Sequence, residues 1–116
     1  HLLLETPEPN LVAGMKWLQG VFATRFNRYR GERGHVFQGR YKSLLVEEDQ
    51  PLSGLIDYIT LNPVRAGLCT VEELGGYELS SYPKLWDRHR PGWLQRKTLL
   101  SLRNLPDTRR GLRMWT

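Results

Sequence analysis

Cysteine is almost missing from this sequence. The one thiol, Cys69, among 116 residues excludes an internal disulfide framework and any zinc site built on cysteines. Histidine is scarce as well: His1, His35 and His89 lie far apart in the chain. No apolar run approaches the ~20 residues that span a bilayer. There is no signal-peptide pattern either, and the two absences together predict a soluble, cytosolic class. An internal repeat, a phosphate-cradling glycine loop and the paired histidines of a metalloprotease helix are all lacking. So is the nucleophile-elbow sequence of a serine hydrolase. The length suits one small domain.

What the chain has in surplus is positive charge. Seventeen Lys and Arg against twelve Asp and Glu give a formal charge of +5, which points to a polyanionic partner, nucleic acid first. The sequence opens on Leu2-Leu3-Leu4, a run that predicts the end of a central strand buried on both faces. A central strand needs neighbours, and only one further good strand follows. The sequence therefore reads as the C-terminal part of a larger domain. Pro7 and Pro9 punctuate a turn, and Asn10 is placed to cap a helix. Leu11, Met15, Leu18, Phe22, Phe26 and Tyr29 then recur at spacings of three and four, predicting an amphipathic helix to about Arg30 with Gly31 as its C-terminal cap. Val36 to Val46, rich in β-formers, reads as a strand with Gly39 at a bulge.

Two groups of residues carry candidate chemistry. In the first, Arg25, Arg28, Arg30 and Arg33 interleave with Asn27 and Tyr29. Single arginines there suit the helix dipole, whereas the cluster suits phosphate contact and base stacking. On the strand that follows, Gln38, Arg40 and Lys42 share one side. That side is either a nucleic-acid strip or a solvated edge protected by charge. The second group lies in Leu55–Leu68, LIDYITLNPVRAGL. The acidic turn Glu47-Glu48-Asp49 and Pro51 announce a helix, with Leu52, Leu55, Ile56 and Ile59 as its apolar stripe. Tyr58 and Asn62, four residues apart, lie on one face beside that stripe, and Pro63 limits the helix. On spacing alone Tyr58 is either a packing residue or a nucleophile at a cleft rim, and Asn62-Pro63 either a helix stop or the start of a further turn closed by Gly67. Beyond Cys69, Val71–Leu74 reads as one helical turn and Trp93–Leu105 as a weak helix. Tyr77, Tyr82, Trp86 and Trp93 read as anchors that pack onto the domain rather than bind bases, the weaker alternative, and Arg109–Arg113 as a disordered basic tail or a nucleic-acid contact.

Taken in order, HLLLETP at 1–7, LVAGMKWLQGVFATRFNRYRGERGHVFQGRYKSLLVEED at 11–49, YITLNPVRAGL at 58–68 and SSY at 80–82 resemble the HUH-type tyrosine transposases, specifically the REP-associated tyrosine transposase branch. The resemblance implies an α+β fold, a partial ferredoxin-like sandwich of antiparallel sheet and helices. Residues 1–70 would form the C-terminal part of the transposase domain, and 71–116 a helical or irregular extension. It implies single-stranded DNA binding, with hairpins in the target, and metal-dependent cleavage and rejoining through a 5′-phosphotyrosine. Tyr58 matches the nucleophile. His1 matches the second histidine of the metal-binding pair, whose first would lie two residues upstream, and Asn62 stands where a polar third ligand falls. Mg²⁺ or Mn²⁺ is the implied cofactor. Arg25, Arg28, Arg30, Arg33, Gln38, Arg40, Lys42 and Arg65 would hold the DNA. The implied setting is the bacterial cytoplasm at the nucleoid, with no membrane; a homodimer is left open. The alternatives are a hairpin-binding module that does not cut and an inactive fragment.

Overall fold

A computed structural model describes residues 1–47 and 51–115. Its helices are α1 (Leu11–Arg30), α2 (Leu52–Thr60), α3 (Asn62–Arg65), α4 (Arg96–Ser101) and α5 (Arg109–Trp115), with short 3₁₀ turns at Leu74–Gly76 and Pro83–Trp86. Among the described residues there is no β-strand, so the fold is predominantly helical and the expected α+β ferredoxin-like sandwich is not found. Both predicted strands fail in the same way. Leu2 and Leu4 are exposed, and Leu44 and Leu45 stand about nine-tenths in solvent, at 93% and 90%. A strand is completed by the partner that takes its backbone hydrogen bonds, and among the described residues neither segment has one. With no pleat to fix alternation, Gln38, Arg40 and Lys42 are exposed side chains on irregular backbone rather than a strip on a rigid element. Of the predicted acidic turn, Glu48 and Asp49 lie outside the described residues.

The chain divides into two units. The smaller, Leu4–Leu45, is α1 and the segment after it. Helix α1 has the limits its spacing predicts. Gly31 ends it in the left-handed region at φ +65°, donating its N–H to the Arg28 carbonyl, while Glu32 N–H reaches the Asn27 carbonyl at 3.0 Å. Asn10 does not cap it with its side chain; its carbonyl oxygen instead accepts from Gly14 N–H at 2.9 Å. No residue of α1 is buried. Its aromatic side chains pack locally. Phe22 stacks on Phe26 at 5.7 Å between ring centroids and meets Phe37 of the following segment at 5.8 Å. The Asn27 amide donates to the Gly34 carbonyl at 2.9 Å and pins the return. Gly34 itself sits at φ +119°. A Cβ at Gly14 would meet nothing within 4 Å, so Gly14→Ala is expected to stabilise α1 by about 1 kcal/mol, visible as added helicity and a higher melting temperature.

The larger unit comprises His1–Leu3 and the chain from Val46 onward. Helix α2 forms as its apolar stripe predicts, with Ile56 buried. Pro63 occupies the first turn of α3, where a missing N–H costs nothing. Gly67, at φ +69°, closes that turn, as the sequence suggests. The core lies further on. Leu85, Leu100 and Leu112 are buried together, with Tyr82, Trp86, Leu94, Leu99, Leu105 and Trp115 packed around them. Tyr82 and Trp86 are thus the anchors they read as, while Trp93 is exposed. The basic stretch Arg109–Arg113 is neither a tail nor irregular: it lies in α5, and Gly111 and Leu112 within it are buried. Arg96 joins core to surface by donating to the Leu85 carbonyl at 3.0 Å and pairing with Asp107 at 2.6 Å.

Candidate functional site

Helix α2 presents Tyr58 near its C-terminal end, and α3 follows after Leu61 alone. The break leaves Arg65 two turns beyond Tyr58, and the Arg65 guanidinium lies over the Tyr58 ring at 4.9 Å from its centroid. On another side the His1 imidazole meets the same ring edge-on, at 5.8 Å and an interplanar angle of 66°. Tyr58 remains 41% exposed. A phenol, an imidazole and a guanidinium therefore converge at one accessible point of the larger unit. A guanidinium over an aromatic face is attracted by its quadrupole, and this holds Arg65 against Tyr58.

Beneath Tyr58 a second set of contacts fixes α2. Asp57, the residue before it, accepts a hydrogen bond from Trp115 Nε1 at 3.1 Å and a close charged one from Arg103. Arg103 also donates to the Ser53 carbonyl at 3.3 Å and lies 5.7 Å from the Trp115 ring centroid. Side chains of the C-terminal region thus tie down both ends of the first two turns of α2. The sequence offered little sign of this, since a carboxylate on an amphipathic helix is usually a solvated one. Thr70 and Glu73, spaced as Thr-x-x-Glu, form a reciprocal capping box that the reading of the sequence missed: Thr70 N–H donates to Glu73 Oε2 at 2.9 Å and Glu73 N–H to Thr70 Oγ1 at 3.3 Å.

Of the residues expected at the site, then, His1, Tyr58 and Arg65 come together. Asn62 is half-buried as the first residue of α3, and among the described residues no hydrogen bond joins it to His1. The expected metal set is not complete. His1 supplies one imidazole and Asn62 one amide oxygen, and among the described residues no three His, Cys, Asp or Glu side chains gather at one point. The donors present are fewer than the three ligands that the resemblance implies, so no step below runs through a metal. The remaining basic residues all belong to the smaller unit. Arg25, Arg28, Arg33, Arg40 and Lys42 are exposed, and so is Gln38. Arg30 is exposed too and pairs with Glu32 at 3.3 Å; surface pairs of this kind contribute about 0–1 kcal/mol, leaving the guanidinium available to a stronger anion. No helix among the described residues is long and apolar enough to cross a membrane. Compared with family models, with curated proteins and with solved structures, the chain matches none.

Proposed function

We propose that this chain binds single-stranded DNA and that Tyr58 is the nucleophile of strand cleavage and rejoining, as the resemblance to REP-associated tyrosine transposases implies. The observation that carries the reading is the convergence of His1 and Arg65 on the exposed Tyr58 ring. The sandwich fold of that family is not found among the described residues, so the support is local to these contacts. In the reaction, Tyr58 Oη gives up its proton and attacks phosphorus. The P–O bond to the 3′ oxygen breaks, that oxygen takes up a proton, and a 5′-phosphotyrosine and a free 3′-OH result. A later 3′-OH reverses the step, so the covalent link conserves the bond for rejoining. The His1 imidazole, 5.8 Å from the Tyr58 ring between centroids, is the base we assign to the phenolic proton. Arg65 offers a fixed positive charge to the phosphoryl oxygens as charge builds on them, the kind of stabilisation that dominates such reactions.

Charge distribution supports the DNA. Of the whole chain's surplus of five positive charges, the unit Leu4–Leu45 holds four, with seven basic and three acidic side chains. The same unit exposes Trp17 and Tyr29 at 67% and 88%, and aromatic faces among arginines suit stacked bases held by their phosphates. Arg40→Ala and Lys42→Ala are each expected to weaken single-strand binding. Each would reduce the slope of log K against log salt by about 0.7, measured by anisotropy titrations across salt.

The test of the proposal is covalent capture. The chain is mixed with hairpin-bearing single-stranded DNA labelled 3′ of the cut, in Mg²⁺, in Mn²⁺ and in a chelator. A denaturation-resistant adduct, mapped to the Tyr58 peptide by mass spectrometry, is the expected result. Loss of the adduct in chelator would show that the reaction needs a divalent ion. Salt-sensitive binding with no adduct under any condition would overturn cleavage and leave a binding module.

A further inference from the structure

The larger unit carries a loop whose two ends are fastened to one carboxylate. Arg90 pairs with Asp107 Oδ2 at 3.6 Å and Arg96 with Asp107 Oδ1 at 2.6 Å, so the chain from Arg90 to Arg96 leaves one point and returns to it. Arg96 is the firmer of the two posts. Its side chain is 11% exposed, and it also donates to the Leu85 carbonyl at 3.0 Å. Between the posts the backbone is braced. Leu94 N–H donates to the Pro91 carbonyl at 3.0 Å and closes a turn, while the Gln95 amide donates to the Gly92 carbonyl at 2.9 Å. Leu94 packs on the core. Trp93, midway between the two arginines, does not: it stands 73% in solvent.

We propose that Trp93 is a stacking platform for one base of a single-stranded nucleic acid, with Arg88 and Lys97 taking phosphates of the same strand. The inference rests on the single-stranded DNA reading above and adds a contact outside both Tyr58 and the basic smaller unit. A lone exposed apolar side chain is common on protein surfaces. This one differs in being held out by a loop fixed before any ligand arrives, which lowers the ordering cost of binding. Charge selects the partner. From Lys84 to Lys97 there are five basic side chains and one acidic one. The acidic one, Asp87, accepts from His89 N–H at 2.9 Å, and Arg90 and Arg96 are taken by Asp107. Lys84, Arg88 and Lys97 are exposed and form no ion pair among the described residues. A ring among uncompensated cations suits a polyanion that also carries flat bases. The size of the apolar face favours nucleic acid over an anionic bilayer. With Leu94 packed on the core, the loop offers one ring. One ring stacks one base, whereas anchoring in a membrane interface takes a broad apolar face. Stacking of this kind tolerates any sequence, since every base has a π-face.

The experiment runs anisotropy titrations of the full chain, Trp93→Ala, Trp93→Phe and Arg88→Ala against two fluorescent twelve-nucleotide strands, one all thymine and one built of abasic sites. Trp93→Ala is expected to bind the thymine strand about tenfold more weakly than wild type and the abasic strand as wild type does. Its salt dependence should match wild type, because no charge is removed. Trp93→Phe keeps a ring and is expected to recover most of the loss. Arg88→Ala is expected to lower the slope of log K against log salt by about 0.7 on both strands. Trp93 packs on little, so Trp93→Ala should melt with wild type. Trp93→Ala binding the thymine strand as tightly as wild type overturns the platform and leaves the single-strand reading standing. Equal losses on the two strands overturn stacking as its role. Weaker binding of Trp93→Ala to phosphatidylserine vesicles, with strand binding unchanged, overturns the proposal in favour of a membrane surface. Failure of wild type to bind either strand overturns both readings.

Discussion

Tyr58→Phe is expected to abolish the covalent DNA adduct, by about 10³-fold or more, and to leave affinity for the same strand within about threefold of wild type. The substitution removes one oxygen and nothing else. The ring keeps the His1 edge at 5.8 Å and the Arg65 guanidinium at 4.9 Å. Because Tyr58 is an exposed position, no cavity opens and stability should move by no more than about 0.5 kcal/mol. Two measurements on one variant therefore separate chemistry from binding: denaturing electrophoresis for the adduct and anisotropy for affinity. Cleavage that persists in the variant would show that another group attacks the phosphate. Loss of binding together with the adduct would show that the hydroxyl anchors the strand rather than cutting it.

The second large effect concerns the core and has the opposite character to Gly14→Ala. A Cβ at Gly111 would lie 2.0 Å from the carbonyl oxygen of Pro106 and 3.1 Å from its carbonyl carbon. Both atoms are backbone, so no side chain can swing aside. Gly111→Ala must push α5 away from Pro106, and Leu112, with none of its surface exposed, would be drawn from its packing on Leu85 and Leu100. Overpacking costs about 1–3 kcal/mol, and partial loss of a buried leucine adds to it. The expected destabilisation is on the order of 3 kcal/mol, a fall in melting temperature of roughly 10–20 °C for a unit of this size. Tryptophan fluorescence follows it well, since Trp86 and Trp115 pack on this core. A melt no lower than wild type would mean that α5 does not approach Pro106 this closely.

The parts of the fold that were legible in the sequence are those set by neighbours along the chain. The period of α1, its glycine stop, the stripe of α2 and the Asn62–Gly67 turn each depend on residues within about one helical turn. The strands were misread because β-propensity describes a surface that some other segment must complete. Val36–Val46 has the composition for pairing and no partner among the described residues. Helix α5 was hidden for a different reason. In Arg109–Trp115 only Leu112, Met114 and Trp115 are apolar, too few to establish a helical period, and the charges around them dominate the reading. At the site, the Tyr58–Arg65 approach was within reach of helical spacing. The arrival of His1 from the far end of the sequence was not, because no local rule relates positions so distant.

Asp57 finds its two side-chain partners 46 and 58 residues later, at Arg103 and Trp115. On the ribosome this separation becomes a delay. Synthesis at about 5–20 residues per second places roughly 3–12 s between the making of Asp57 and of Trp115. Over that interval α2 is a nine-residue helix without its long-range tethers, and helices so short are marginal alone. The tyrosine proposed as nucleophile thus gains its fixed setting only after nearly all of the described chain has been made.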